Sequence, residues 1–271
     1  MNKKVGQKVG FVGCGHMASA IIEGILSSNF LSKSDVTASE ANAEFAQKKQ
    51  SELGIEVITD NKTLAKNSDV IVLATKPNAI KDVLTEIKNE LSNNKLIVSI
   101  AAGVSTKTIE EAAGKEIAVI RVMPNAGAMI LQGMSGIVQG KFAKDEHVKF
   151  VQELFSKIGK CIVVDEDKID IVTAISGSGP AFFYKTINEM ARAGEKLGLD
   201  YEKALLLSIQ TAIGSAKIML ESDLAPEELI ERIATKGGCT EVGVNFMNEQ
   251  NTSELFYELI KQTAQKAKGL G

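Results

Sequence analysis

The chain has 271 residues, with 31 Lys and Arg against 34 Asp and Glu, so its formal net charge is −3, and 44% of residues are hydrophobic and 24% charged. This is the balance of a soluble folded protein, long enough for one large core or two moderate ones without a metal or disulfide staple. The slight acidity argues against nucleic acid as a partner, which needs a concentrated basic face. Cys14, Cys161 and Cys239 are far apart and odd in number, and His16 and His147 are the only histidines, so neither a disulfide framework nor a metal centre is expected. Residues 1–8 are basic, but the apolar stretch after them is short and broken by glycines. No signal peptide and no membrane span of about 18 apolar residues is therefore expected there. The expectation is a soluble, cytoplasmic protein.

In chain order, residues 9–12 read as a strand and 17–26 as a helix, followed by a strand at 36–38 and a helix at 41–53. Strands at 55–58, 70–74 and 96–101 follow, with a helix at 79–91 and a further strand ending in Arg121-Val122-Met123-Pro124-Asn125. Val70-Ile71-Val72-Leu73-Ala74 is apolar at every position, as expected of a parallel strand covered on both faces. Past Asp165-Glu166-Asp167 no β-branched run asks to be a strand. Helical patterns occupy about 169–197, 201–220, 227–234 and 253–267, with Gly198 suited to a C-cap and Pro226 to a helix start. The expected class is α/β: a doubly wound, Rossmann-type sheet over 1–165, then an all-helical domain over 166–271. Within the latter, 204–220 is apolar around most of its circumference. Such a helix is either the centre of a bundle or a subunit interface, and the small size of the helical domain favours the interface.

Gly13-Cys14-Gly15-His16-Met17-Ala18 fits G-x-G-x-x-A between the first strand and the first helix. The glycines permit a tight turn and close approach of a pyrophosphate, and the helix start supplies N–H donors. Cys14 and His16 read as bystanders. The residue that reads the adenosine ribose is expected about 20 residues on. Glu40, in Ser39-Glu40-Ala41-Asn42, suits a 2′-hydroxyl and so NAD(H), while Ser39 and Asn42 could donate to a 2′-phosphate. Ala74-Thr75-Lys76-Pro77 and Ala101-Ala102-Gly103 sit at strand ends, where open α/β sheets bind ligands. In the helical half, Ser176-Gly177-Ser178-Gly179-Pro180 interrupts or opens a helix. Thr235-Lys236-Gly237-Gly238-Cys239-Thr240 joins two helices and offers amides and a hydroxyl to an anion.

With these motifs the whole chain resembles the pyrroline-5-carboxylate reductase family. The carriers are Gly10 to Ala18, Ala74-Thr75-Lys76-Pro77, Ala101-Ala102-Gly103-Val104, Met123-Pro124-Asn125 and the two later glycine clusters. In the family the last two read S-G-S-G-P-A and S-P-G-G-T-T, so this chain departs by Thr235-Lys236 for Ser-Pro and Cys239 for the first Thr. The resemblance implies hydride transfer from NADP(H), with NAD(H) as the second candidate, to the C=N carbon of 1-pyrroline-5-carboxylate, giving L-proline. Cofactor contacts are then expected at Val12, Gly13, Cys14, Gly15, His16, Met17, Ser39, Glu40, Asn61, Ala74, Thr75, Lys76, Pro77, Ala101 and Ala102. Substrate contacts are expected at Gly238, Cys239, Thr240, Glu166 and Ser176, with the Thr240 hydroxyl bonding the ring nitrogen as the catalytic group and no metal involved. A homodimer through the helical domains, or a ring of dimers, is also implied. Two rivals are a β-hydroxyacid dehydrogenase, which would use Lys185 and Asn188, and a non-catalytic NAD(P)-sensing protein that would not need the second glycine loop.

Overall fold

Strand β1 (Val9–Val12) runs into the glycine turn and helix α1 (His16–Ser27), the start of a regular alternation. It continues through β2 (Val36–Ser39), α2 (Ala43–Leu53), β3 (Glu56–Ile58), α3 (Asn61–Asn67), β4 (Val70–Leu73), α4 (Ile80–Ile87), β5 (Leu96–Ser99) and α5 (Thr106–Ala113). Then come β6 (Ala118–Met123), β7 (Gly133–Gln139), α6 (Asp145–Phe155) and β8 (Gly159–Val163). This computed structural model describes residues 8–269, so most of the basic start, residues 1–7, lies outside the described residues.

The eight strands form one sheet in the order β3-β2-β1-β4-β5-β6-β7-β8. All neighbours pair parallel except β6 and β7, which are antiparallel. Period-two alternation divides the buried residues into two layers. Val70 and Val72 of β4 pack with Phe11, Ile21, Ile25 and Phe155 on the face covered by α1, α2 and α6. Ile71 and Leu73 pack with Ile80, Leu84 and Ile109 on the opposite face, under α3, α4 and α5. Helix boundaries follow local chemistry. The Asn42 side chain accepts from the Phe45 N–H at 2.8 Å to start α2, and Gly54 at φ 65° ends it.

The expected helix over 79–91 is shorter, with tight turns at Pro77–Ala79 and Lys88–Glu90 on either side of α4. Helices α3, α5 and α6 and strands β7 and β8 carry no strong sequence signal of their own. In β7 the obstacle is glycine: a Cβ on Gly136 would lie 2.6 Å from Val172 Cγ1, so the strand is kept bare where the next segment packs.

That segment differs most from expectation. In place of one helix over 169–197, α7 (Ile169–Val172) passes into a π-helical turn, Thr173–Gly177, before α8 (Gly179–Lys196). Next come α9 (Tyr201–Glu221), α10 (Pro226–Ile233) with Pro226 in its first turn, α11 (Cys239–Glu249) and α12 (Thr252–Lys268). Gly198, at φ 98°, follows α8 as a cap glycine should. By contacts the chain divides into two compact units: Met1–Ser178 with Thr263–Gly271, and Gly179–Gln262. The compositional break at 165–167 marks the end of the last strand, whereas the contact boundary falls at 178, because α7 and the π turn pack on β7.

Helix α9 buries only Ala204 and Ser208. Leu206 is 67% and Leu220 68% exposed, so within the chain this is not the centre of a bundle. Among the described residues it is the one helix that is, by length and composition, able to cross a membrane.

Candidate active site

The strand order reverses at β1, which is flanked by β2 on one side and β4 on the other. Chains leaving the carboxyl ends of β1 and β4 diverge to opposite sides, opening a crevice. A cleft of about 380 Å3 lies there, lined by residues 15–18 at the start of α1, Ala74 to Pro77 after β4, Ile100 to Ala102 after β5, and Met123 and Pro124 after β6. Gly13 turns the chain at φ 93°, and a Cβ on it would come 2.9 Å from the Ala74 carbonyl oxygen. Gly15 is the N-cap of α1 and has no side chain to satisfy the first amides, while the space where its Cβ would stand is open to 4 Å. Bare amides at a helix start beside open space suit a phosphate. Across the cleft, Thr75 Oγ1 is buried with no hydrogen-bond partner among the described residues. The uncapped turn and this orphaned hydroxyl fit a dinucleotide. Cys14 is fully buried, and burial pushes its thiol pKa up, which suits a packing role and not a nucleophile.

Beside the glycine turn, the Cys14 N–H donates to Glu40 Oε2 at 3.4 Å, so the Glu40 carboxylate stands at the β2 edge of the crevice. Buried Ser39 donates from Oγ to Asn61 Oδ1 at 2.6 Å, and Asn61 Nδ2 donates to Glu86 Oε2 at 2.8 Å. Of the residues expected here, Ser39, Glu40 and Asn61 are thus brought together at one strand edge. Lys76 and His16 are exposed at the mouth of the cleft.

Glu166 has both oxygens engaged. Oε1 accepts from Arg121 Nη1 at 2.5 Å, and Oε2 accepts from the Thr106 N–H at 3.0 Å and from Thr106 Oγ1 at 2.5 Å. Arg121 is 4% exposed, and its Nη2 is buried without a partner among the described residues. Since Thr106 opens α5 directly after the Ala101–Ala102 rim, the carboxylate pins that loop to the sheet. The Ser176 hydroxyl donates to the Val172 carbonyl at 3.0 Å, and its own carbonyl accepts from Asn125 Nδ2 at 3.0 Å. Thr106 and Glu86 were not singled out from the sequence. Each shows itself only through a partner 60 or 25 residues away.

In the second unit the Gly238 N–H donates to the Thr235 carbonyl at 2.9 Å, and Gly237 has φ 77°. A closed four-residue turn with positive φ at its third residue is a type II turn. Its second position, held here by Lys236, is where proline is favoured, and the hydrogen bond keeps the turn closed without it. Gly238 then caps α11 with no side chain, leaving the amides of Cys239, Thr240 and Glu241 without acceptors inside the helix. Glu241 Oε2 accepts from the Gly237 N–H at 2.7 Å. Thr240 is half-buried, and its hydroxyl has no partner among the described residues. Lys185 pairs with Glu189 at 2.5 Å, and Asn188 Oδ1 accepts from the Tyr201 hydroxyl at 2.9 Å. The lysine that the rival reading would use as acid/base thus stands in an exposed ion pair along α8.

Comparison with known proteins decides the family. Residues 166–270 match the family described as pyrroline-5-carboxylate reductase dimerisation, and residues 8–103 match the one described as NADP oxidoreductase coenzyme F420-dependent. A pyrroline-5-carboxylate reductase of Methanosarcina acetivorans is 38% identical over 265 residues, 98% of each chain. The chain belongs to the pyrroline-5-carboxylate reductase family. The solved pyrroline-5-carboxylate reductase of Coxiella burnetii superposes with a TM-score of 0.93 at 30% identity, covering 98% of this chain and 99% of that one. The Plasmodium falciparum enzyme, solved with NADP bound, gives a TM-score of 0.86 at 30% identity, over 99% and 100% of the two chains. Membership of this reductase family accounts for a crevice built of glycines, amides and hydroxyls in the first unit, and for the separate glycine turn in the second.

Proposed function

We propose that the chain reduces 1-pyrroline-5-carboxylate to L-proline, the last step of proline synthesis, using NADPH or NADH. The carrying observation is the likeness over 98% of both chains to a reductase of that name, 38% identical. The cofactor supplies the hydride. It adds to the C=N carbon, the π pair of that bond stays on nitrogen, and one proton completes the amine. The protein has only to hold the ring against the donor and anchor its carboxylate. In this reading the amides at the start of α1 and the Thr75 hydroxyl hold the dinucleotide, and Glu40 meets the adenosine ribose. Gly238, Cys239 and Thr240 hold the substrate, while Glu166 and Ser176 support the site by fixing the loops they bond. A turnover assay with 1-pyrroline-5-carboxylate, run with NADPH and NADH side by side, tests the activity; no turnover with either removes it. In the same assay Glu40→Ser should shift kcat/KM toward NADPH, because the carboxylate opposes a 2′-phosphate. An unchanged ratio would place Glu40 outside the ribose site.

The residues matched by the dimerisation family, 166–270, include α9 with its exposed Leu206 and Ile213. We assign this apolar surface to the contact between two subunits, with a ring of dimers as the larger assembly. Ile213→Glu would bury an unpaired charge at that contact, so the dimer should dissociate in light scattering. A wild-type chain that is monomeric and fully active would return α9 to some other role.

A further inference from the structure

The turn before α11 is closed from both sides. The Gly238 N–H donates back to the Thr235 carbonyl at 2.9 Å, and the Gly237 N–H donates forward to Glu241 Oε2 at 2.7 Å. Glu241 is the third residue of α11, so the second bond ties the turn to the helix whose first amides it presents. Lys236 and Gly237 are exposed, and a Cβ on Gly237 would meet no atom within 4 Å. The Lys236 N–H donates to no group among the described residues. Two successive glycines have the most backbone freedom to lose, and no side chain of their own to anchor them.

We infer that Glu241 is a positioning residue for the substrate: by holding the Gly237 N–H it keeps the turn closed, so that the Cys239 and Thr240 amides and the Thr240 hydroxyl keep one arrangement. This rests on the reading above, in which Gly238, Cys239 and Thr240 hold 1-pyrroline-5-carboxylate. Whenever the turn opens, the binding-competent fraction falls and the apparent affinity falls with it. The charge of Glu241 acts the other way, because a carboxylate in the first turn of α11 repels an anionic substrate at the same helix start. The two effects have opposite signs, and substitutions separate them.

The test is KM for 1-pyrroline-5-carboxylate at saturating NADPH. Glu241→Ala loses both acceptor and charge and should raise KM about 5-fold, while Glu241→Gln keeps an acceptor without the charge and should equal wild type or fall below it. In both variants kcat should change by no more than about 2-fold, because saturating substrate closes the turn itself. Proline at the second position of a type II turn restrains it without a side-chain bond. Lys236→Pro is therefore compared with Lys236→Ala, which loses the same charge. Combined with Glu241→Ala, Lys236→Pro should give the lower KM of the two by about 2- to 5-fold. With Glu241 in place the two should agree, since the turn is already closed. An unchanged or lower KM in Glu241→Ala overturns the inference, and so does an equal rise in Glu241→Gln. An equal advantage of Lys236→Pro with and without Glu241 overturns it as well, as does a matching loss of NADPH affinity, which would mark a general loss of fold. Absence of turnover in the wild type would instead overturn the reductase reading, and the inference with it.

Discussion

Thr240→Val should lower kcat/KM for 1-pyrroline-5-carboxylate roughly 10- to 100-fold, the cost of one hydrogen bond to a charged group. Position in the helix is what makes this hydroxyl available. Thr173, Thr186 and Ser208 all donate to the carbonyl four residues back, at Ile169, Phe182 and Ala204. Thr240 is the second residue of α11, so the residue four back, Lys236, lies outside the helix in the type II turn. Its hydroxyl is thus free to accept from an iminium N–H and then to donate to the nitrogen as it becomes an amine. Valine keeps the shape and the β-branching, so α11 should form as before. NADPH affinity, measured by titration, should change little, because the proposed dinucleotide contacts all lie in the first unit. Near-normal kinetics with a lowered Tm would mark a structural threonine and remove Thr240 from the site.

The first half of the fold was legible because it repeats strong local signals. Val70 to Leu73 is apolar at every position since both its faces are covered, and Gly13 and Gly15 announce a turn that no other residue type serves as well. The strand order could not be read that way, because pairing is set by which helices cover which face. Strand β7 was hidden by its glycines, Gly133 where Ile158 and Ala128 approach and Gly136 where Val172 packs. The break within 169–197 was half visible: Ser176 to Pro180 signalled an interruption, but a π turn differs from an α turn by one hydrogen-bond step, which composition does not encode. The loops that line the crevice were legible from the sequence, as strand ends in doubly wound sheets meet at one edge. The supporting contacts were not. Glu166 reads as a solvated acid in Asp165-Glu166-Asp167, and only the fold brings it to Arg121, 45 residues earlier.

That pair supports the second large effect. Glu166→Ala should destabilise the first unit by about 3 kcal/mol, the lower end of the range for breaking a buried ion pair, because the Glu166 side chain is 35% exposed while the Arg121 side chain is 5% exposed. The loss is mostly the guanidinium left behind. Arg121 Nη2 already lacks a partner among the described residues, so removing the acceptor on Nη1 leaves the buried cation uncompensated on that side. In a unit of this size each kcal/mol moves Tm by about 2–4 °C, so a fall of about 6–12 °C is expected. Glu166→Gln keeps an acceptor for Arg121 or for Thr106 and should lose less. The double variant Arg121→Met with Glu166→Gln removes the buried charge itself, and it should recover most of the Tm lost in Glu166→Ala, since an apolar side chain of similar volume needs no partner. Activity should follow a different course. With Thr106 released, the Ala101–Ala102 rim is no longer held to the sheet, so KM for the dinucleotide should rise in Glu166→Ala more than in Glu166→Gln. If the Ala and Gln variants melted alike and the double variant melted lowest, packing around Glu166 would be the stabilising element, and the ion pair would have no part in holding the rim.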